Sequence, residues 1–186
     1  MTTKTALRNR WMSEPGLSIR RRILDFLVPL EPGHGRSSSE IFDLLAGLPY
    51  RDEVPNGRDF RGADFMGGDE FDFSDTDFSF SPNLSYFVDS NLSRAKFDEC
   101  RDERGNWGGS VLDGASFRRV RFRAPYMARA RAHNVCFEEA KLLNANFGDA
   151  DLSGSSFRGA NLKGAQFYGA NLRGCDFRGA NFDNII

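Results

Sequence analysis

Ala160-Asn161-Leu162-Lys163-Gly164, Ala165-Gln166-Phe167-Tyr168-Gly169, Ala170-Asn171-Leu172-Arg173-Gly174 is one pattern written three times: small, polar, large and apolar, variable, glycine. Stepping outward in fives from Phe182 back to Phe87, every third position of a unit is large and apolar except Ala132 and Asp102. Two residues earlier the position is small, as at Ala95, Cys100, Ala115, Ala140, Ala150, Cys175 and Ala180. A period of five fits neither the 3.6 of a helix nor the 2 of a strand, so each unit must contain its own corner. Gly154, Gly159, Gly164, Gly169, Gly174 and Gly179 follow the large residue by two places, where a type II turn requires a positive φ.

The number of sides follows from the multiple of five at which identity repeats best, which is twenty. Phe97, Phe117, Phe137, Phe157 and Phe177 form one series, and Leu92, Leu112, Ala132, Leu152 and Leu172 another. Twenty residues per coil means four sides, with Phe stacked on Phe along one of them. About six coils at roughly 4.8 Å spacing give a rod near 29 Å long. Before Phe87 the phase slips, since Phe60 and Phe65 share one register, Phe73 and Phe78 another, and Pro82 interrupts Ser79 to Tyr86. An irregular first coil with a protruding loop is expected there.

These units resemble the pentapeptide-repeat family, whose repeat runs Ala, Asp or Asn, Leu or Phe, then two variable residues. The resemblance covers roughly residues 58–186 and implies an all-β solenoid, a right-handed quadrilateral β-helix with the large and small residues both inward. Residues 1–57 read as a small N-terminal helical cap. Ser18 to Leu27 place Ile19, Ile23, Phe26 and Leu27 at helical spacing before Pro29, and a second helix is expected from Ser39 to Ala46 with Ser38 or Ser39 as N-cap. The basic run Arg20-Arg21-Arg22 is either the solvated face of a lid over the ladder edge or a partner-binding element.

Charge divides the rod. Asp59 to Glu103 holds twelve acids against four bases, and Arg104 to Asn146 eight bases against three acids, giving an acidic end and a basic waist under a formal net charge of −1. The candidate acidic partner-binding strip is Asp69, Glu70, Asp72, Asp75 and Asp77; the resemblance implies that such a block imitates the phosphate path of duplex DNA and engages a type II topoisomerase, DNA gyrase or topoisomerase IV. The alternative for Asp72 and Asp77 is local backbone hydrogen bonding, because Asp precedes the large residue throughout the repeat. The candidate basic patch is Arg118, Arg119, Arg121, Arg123, Arg129 and Arg131, suited to an acidic protein surface or phosphates, or else an ordinary solvated face. The repeat is least regular at this waist, with Arg129, Glu139 and Asn144 where glycine stands later and Pro125 at a small site.

The chain ends on Asn184-Ile185-Ile186. The quinolone-resistance branch of the family implies a homodimer through C-terminal ends, with Phe182, Ile185 and Ile186 as the candidate contact. Nothing favours catalysis: His133 and Cys136 lack the second ligand pair of a zinc site and the third group of a nucleophile–base system, and both read as exposed side chains. Cys100 and Cys175 fall on inward positions, and His34 lies in a Pro-Gly-His-Gly turn. No cofactor, metal, direct nucleic-acid contact or membrane span is expected, and three cysteines without a leader pattern point to the cytoplasm. The expected function is binding, either to a topoisomerase that it modulates or protects, or as a protein–protein scaffold or regulatory adaptor unrelated to topoisomerases.

Overall fold

The computed structural model describes residues 2–27, 38–54, 58–61, 63–65, 72–84 and 87–184. Each five-residue unit makes one side and one tight turn, closed where the small residue's N–H donates to the carbonyl of the large residue: Ala95 to Leu92 at 3.0 Å, Ala115 to Leu112 at 2.9 Å, Ala160 to Phe157 at 2.9 Å. Backbone N–H groups then donate to the next coil, as Phe97 does to Ser116 and Phe117 to Cys136, both at 2.7 Å. Parallel rungs twenty residues apart run Asn91, Val111, Arg131, Asp151, Asn171 on one side and Lys96, Ser116, Cys136, Ser156, Asp176 on another. Four sides therefore close each coil.

The buried columns differ by side. A phenylalanine side stacks Phe78, Phe97, Phe117, Phe137, Phe157 and Phe177, with successive centroids 5.1, 4.6, 5.2, 4.8 and 4.9 Å apart and planes within 20°. Each such offset pair adds about 0.5–1.5 kcal/mol beyond its area. Opposite it lies a tyrosine side over Phe87, Trp107, Met127, Phe147 and Phe167, which bears Tyr126 and Tyr168 outward. A histidine side over Leu92, Leu112, Ala132, Leu152 and Leu172 faces a basic side over Asp102, Phe122, Leu142 and Leu162.

The early register slips are shortfalls. Rungs are eighteen residues apart for Asp59 and Asp77, nineteen for Asp77 and Lys96, and twenty beyond. A protruding loop needs surplus residues, and these coils have fewer than the regular ones. β1 (Asp64–Phe65) pairs in parallel with β2 (Asn83–Leu84), so even the stretch after Pro82 joins the ladder.

The waist is also more regular than its sequence suggests. Gly159 has φ of +65°, but Arg119, Arg129, Glu139 and Asn144 hold the same corner at +53°, +60°, +57° and +55°. Each such residue costs on the order of 1 kcal/mol relative to glycine, and the inter-coil bonds of Arg119 N to Glu138 O (3.0 Å) and Glu139 N to Arg158 O (2.8 Å) hold them there. The side chains gained at these corners meet: Arg119 Nε lies 3.0 Å from Glu139 Oε2, and Arg94 Nη2 2.6 Å from Asp75 Oδ2.

Among the described residues three α-helices precede the ladder, one more than the periodicity predicts. α1 (Lys4–Asn9) is capped by Thr3, whose side chain accepts from Ala6 N; it is too short to carry a hydrophobic period. α2 (Gly16–Leu27) buries Ile19 and Ile23, and α3 (Ser38–Asp43) buries Ile41 and Phe42. Pro29 and the side chains of Phe26, Leu27, Ser38 and Ser39 lie outside the described residues. The decisive residues follow α1. Trp11 stacks on Phe60 at 6.1 Å, and Phe60 on Phe78 at 5.5 Å, so the phenylalanine column continues into this segment. Arg10, 3% exposed, forks onto Asp59, 0% exposed, with Nη1 and Nη2 each 2.8 Å from a carboxylate oxygen, and the same two nitrogens also donate to Pro49 O and Arg61 O at 2.9 Å.

Arg10→Ala leaves buried Asp59 only the Arg61 half of its cation shell (Nε to Oδ1 at 2.9 Å, Nη2 to Oδ2 at 3.0 Å) and should lower stability by about 3 kcal/mol in urea unfolding. Burial pushes Asp59 up, but hydrogen bonds from Arg10 and Arg61 outweigh it and hold its carboxyl below the usual range. A depressed folded pKa contributes stability that is present above the unfolded value and lost as pH falls through the folded one, so the gap between wild type and Arg10→Ala should close below about pH 4.

Candidate functional site

Asp and Asn before the large residue serve the backbone. Asn91 Oδ1 accepts from Ser93 N at 3.1 Å, Asn106 Oδ1 from Gly108 N at 2.9 Å and Asn146 Oδ1 from Gly148 N at 2.9 Å, bending the chain directly into its turn. On the basic side three consecutive coils have Arg101, Arg121 and Lys141 at that position. There the chain stays extended as β3 (Arg101–Asp102), β4 (Arg121–Arg123) and β5 (Lys141–Leu143), a three-stranded parallel sheet.

Ladder register places Arg101 beside Arg121 and Arg121 beside Lys141, about 4.8 Å apart by sheet spacing, with Arg123 one pleat away. All four are exposed, and none has an ion-pair partner among the described residues. Pro82, Glu103 and Leu143 complete a shallow groove around them, floored by Phe122 and Asp102. Asp102 stands where the repeat wants an apolar residue and is 9% exposed. Its Oδ1 accepts from Arg104 N at 3.3 Å, but Oδ2 has no hydrogen-bond partner among the described residues, and burial pushes its carboxyl up. The Trp107 ring fills the room beside it: a Cβ on Gly105 would sit 2.1 Å from a ring carbon.

On the phenylalanine and histidine sides, by contrast, several charges pair with one another. On the phenylalanine side Asp98, Arg118, Glu138 and Arg158 alternate coil by coil; Arg118 meets Glu138 at 3.0 Å, and Asp98 Oδ1 accepts from Arg118 N at 3.1 Å. On the histidine side Arg131 meets Asp113 at 2.8 Å. His133 there is half-buried, its Nε2 3.0 Å from Asp151 Oδ2 and its Nδ1 3.4 Å from Asp113 Oδ1, which corrects the reading of an idle exposed side chain. The His133 contact, helped by Ser153, holds Asp151 well below the carboxylate range. Cys136 lies on the phenylalanine side, half-buried, so the two do not form a pair. Cys100 is buried with its thiol pushed up by burial, and Cys175 is half-buried.

The six arginines of the waist thus fall on four sides: Arg118 and Arg119 on the phenylalanine side, Arg121 and Arg123 on the basic side, Arg129 at a corner of the tyrosine side, Arg131 on the histidine side. Only Arg121 and Arg123 come together with Arg101 and Lys141, two residues that the block count did not single out; their twenty-residue spacing was the signal. Of the acidic strip, Asp72 Oδ1 accepts from Ser74 N at 3.0 Å, Asp77 Oδ1 from Ser79 N at 2.9 Å, and Asp75 is drawn below its ordinary range by Arg94. Asp69, Glu70, His34, Ile185 and Ile186 lie outside the described residues; Phe182 is partly exposed, 5.2 Å from Phe177. Among the described residues no group of three or more His, Cys, Asp or Glu is placed to hold a metal ion, and no helix is long and apolar enough to cross a membrane.

Residues 145–184 match the family model for pentapeptide repeats as eight copies. No curated protein matches the chain. Among solved structures, a trypsin-treated form of QnrB1, a plasmid-mediated fluoroquinolone resistance protein, is 19% identical over 69% of this chain and 76% of its own, with a TM-score of 0.51. The pentapeptide-repeat protein Rfr23 from the cyanobacterium Cyanothece 51142 is 21% identical over 74% of this chain and 95% of its own, with a TM-score of 0.38. The likeness to QnrB1 is one of fold, the right-handed β-helix. Residues 145–184 are thus matched as eight pentapeptide repeats, and the same ladder of five-residue sides continues through the described coils before them.

Proposed function

We propose that this chain is a non-catalytic rod that binds another protein through its side faces in the cytoplasm, and that a type II topoisomerase, DNA gyrase or topoisomerase IV, is the partner it modulates or protects. The observation that carries the binding reading is the ladder itself: inter-coil hydrogen bonds hold exposed side chains at fixed intervals on flat sides, so a surface is preorganised before any partner arrives. The choice of a topoisomerase is supported by the fold that QnrB1 shares with this chain, and fold alone does not fix function.

One observation favours the second reading, an adaptor for an unrelated protein. Along the phenylalanine side carboxylates alternate with arginines, so that side carries no unbroken negative strip of the kind a DNA mimic presents. Mimicry would then rest on Asp69 and Glu70. A homodimer through the C-terminal ends, using Phe182, Ile185 and Ile186, belongs to the same proposal: Ile185→Asp with Ile186→Asp should halve the mass in light scattering.

Purified rod added to a gyrase supercoiling and quinolone-cleavage assay should reduce quinolone-induced cleavage at micromolar levels. No effect on either activity removes the topoisomerase and leaves the adaptor.

A further inference from the structure

We infer that the groove of the basic side binds an acidic segment of a partner protein, one that carries isolated aliphatic residues among its carboxylates. The inference rests on the reading of the chain as a protein-binding rod and adds which side binds and what it recognises.

Three features select this occupant. Arg101, Arg121, Arg123 and Lys141 are stacked like charges without ion-pair partners among the described residues, whereas Arg118, Arg119 and Arg131 on the neighbouring sides are spent on Glu138, Glu139 and Asp113. Like charges opposite one another in a sheet destabilise it, so the column works against the fold and is complementary to an anion from outside. Leu143, half-buried, and Pro82 offer apolar surface inside the same groove. The one aromatic ring lining the groove, Phe122, is 2% exposed and lies in the floor, so there is no platform on which nucleobases could stack. Cations, aliphatic surface and no stacking ring fit an acidic peptide better than a single-stranded nucleic acid.

The test measures fluorescence anisotropy of the full chain with a fluorescein-labelled peptide of repeating Glu-Glu-Leu, beside an oligouridylate of matched charge. Arg121→Glu with Lys141→Glu should weaken peptide binding at least about tenfold, the scale on which charge complementarity acts. Arg129→Glu with Arg173→Glu, the same net charge change away from the groove, should leave it unchanged. An equal loss in both variants, or an oligouridylate that binds as tightly as the peptide, overturns the inference. Thermal unfolding guards against a folding artefact: Arg121→Gln should leave Tm unchanged or raise it while still weakening the peptide, and a fall in Tm would mean that the column is structural. Gyrase separates the two readings. Modulation that survives Arg121→Glu with Lys141→Glu keeps the topoisomerase proposal and rejects this site, and peptide binding without any effect on gyrase does the reverse.

Discussion

The hydrogen bonds between coils are the constraint from which the rest follows. A parallel ladder in which the N–H and C=O groups along the sides bond to the coils above and below fixes the rise at about 4.8 Å and places equivalent residues directly over one another. Any choice at one position is therefore repeated as a column, and its energy is paid or gained once per coil. Phenylalanine rings at that spacing fall into contact, and acid over base gives Arg118 on Glu138. Base over base gives the opposing charges of Arg101, Arg121 and Lys141, held in place by a backbone that has no freedom to separate them.

The same constraint makes the ends costly, because the terminal coil has groups and faces with nothing above them. At the N-terminal end Trp11 supplies one more ring to the phenylalanine column and Arg10 satisfies Asp59, so a helical segment is joined to a β-ladder by continuing the ladder's own columns. The helices add to this: Phe42 of α3 packs edge-on against Phe60 and Phe73 at 6.0 and 6.2 Å.

The sequence carried the four sides, the inward columns and the Phe stack in plain view, since spacing alone decides them. Its reading of irregularity was less secure. Arg129, Glu139 and Asn144 looked like breaks because they lack glycine's freedom, yet neighbouring coils impose the corner regardless. Block charge counts also mislead on a four-sided rod, where Arg118, Arg121, Arg129 and Arg131 point in different directions within thirteen residues of chain or so; the informative comparison is at intervals of twenty, where Arg101, Arg121 and Lys141 align. Arg10 and Trp11 were not legible at all, because their partners Asp59 and Phe60 are about fifty residues away and no period links them.

Asp102 gives the rod an uneven mechanical profile. In a solenoid each coil holds only its neighbours, so strength along the axis is that of the weakest junction. Among the described residues an unpartnered carboxyl oxygen and an unpartnered Trp107 indole nitrogen fall in one coil and mark a seam between Cys100 and Ser110, since each such buried group costs about 1–3 kcal/mol. The three strands of the basic side cross it from β3 to β5. A partner lying along Arg101, Arg121 and Lys141 would bridge the seam as a splint, and occupancy of that side would be felt as stiffness by everything on either side of it.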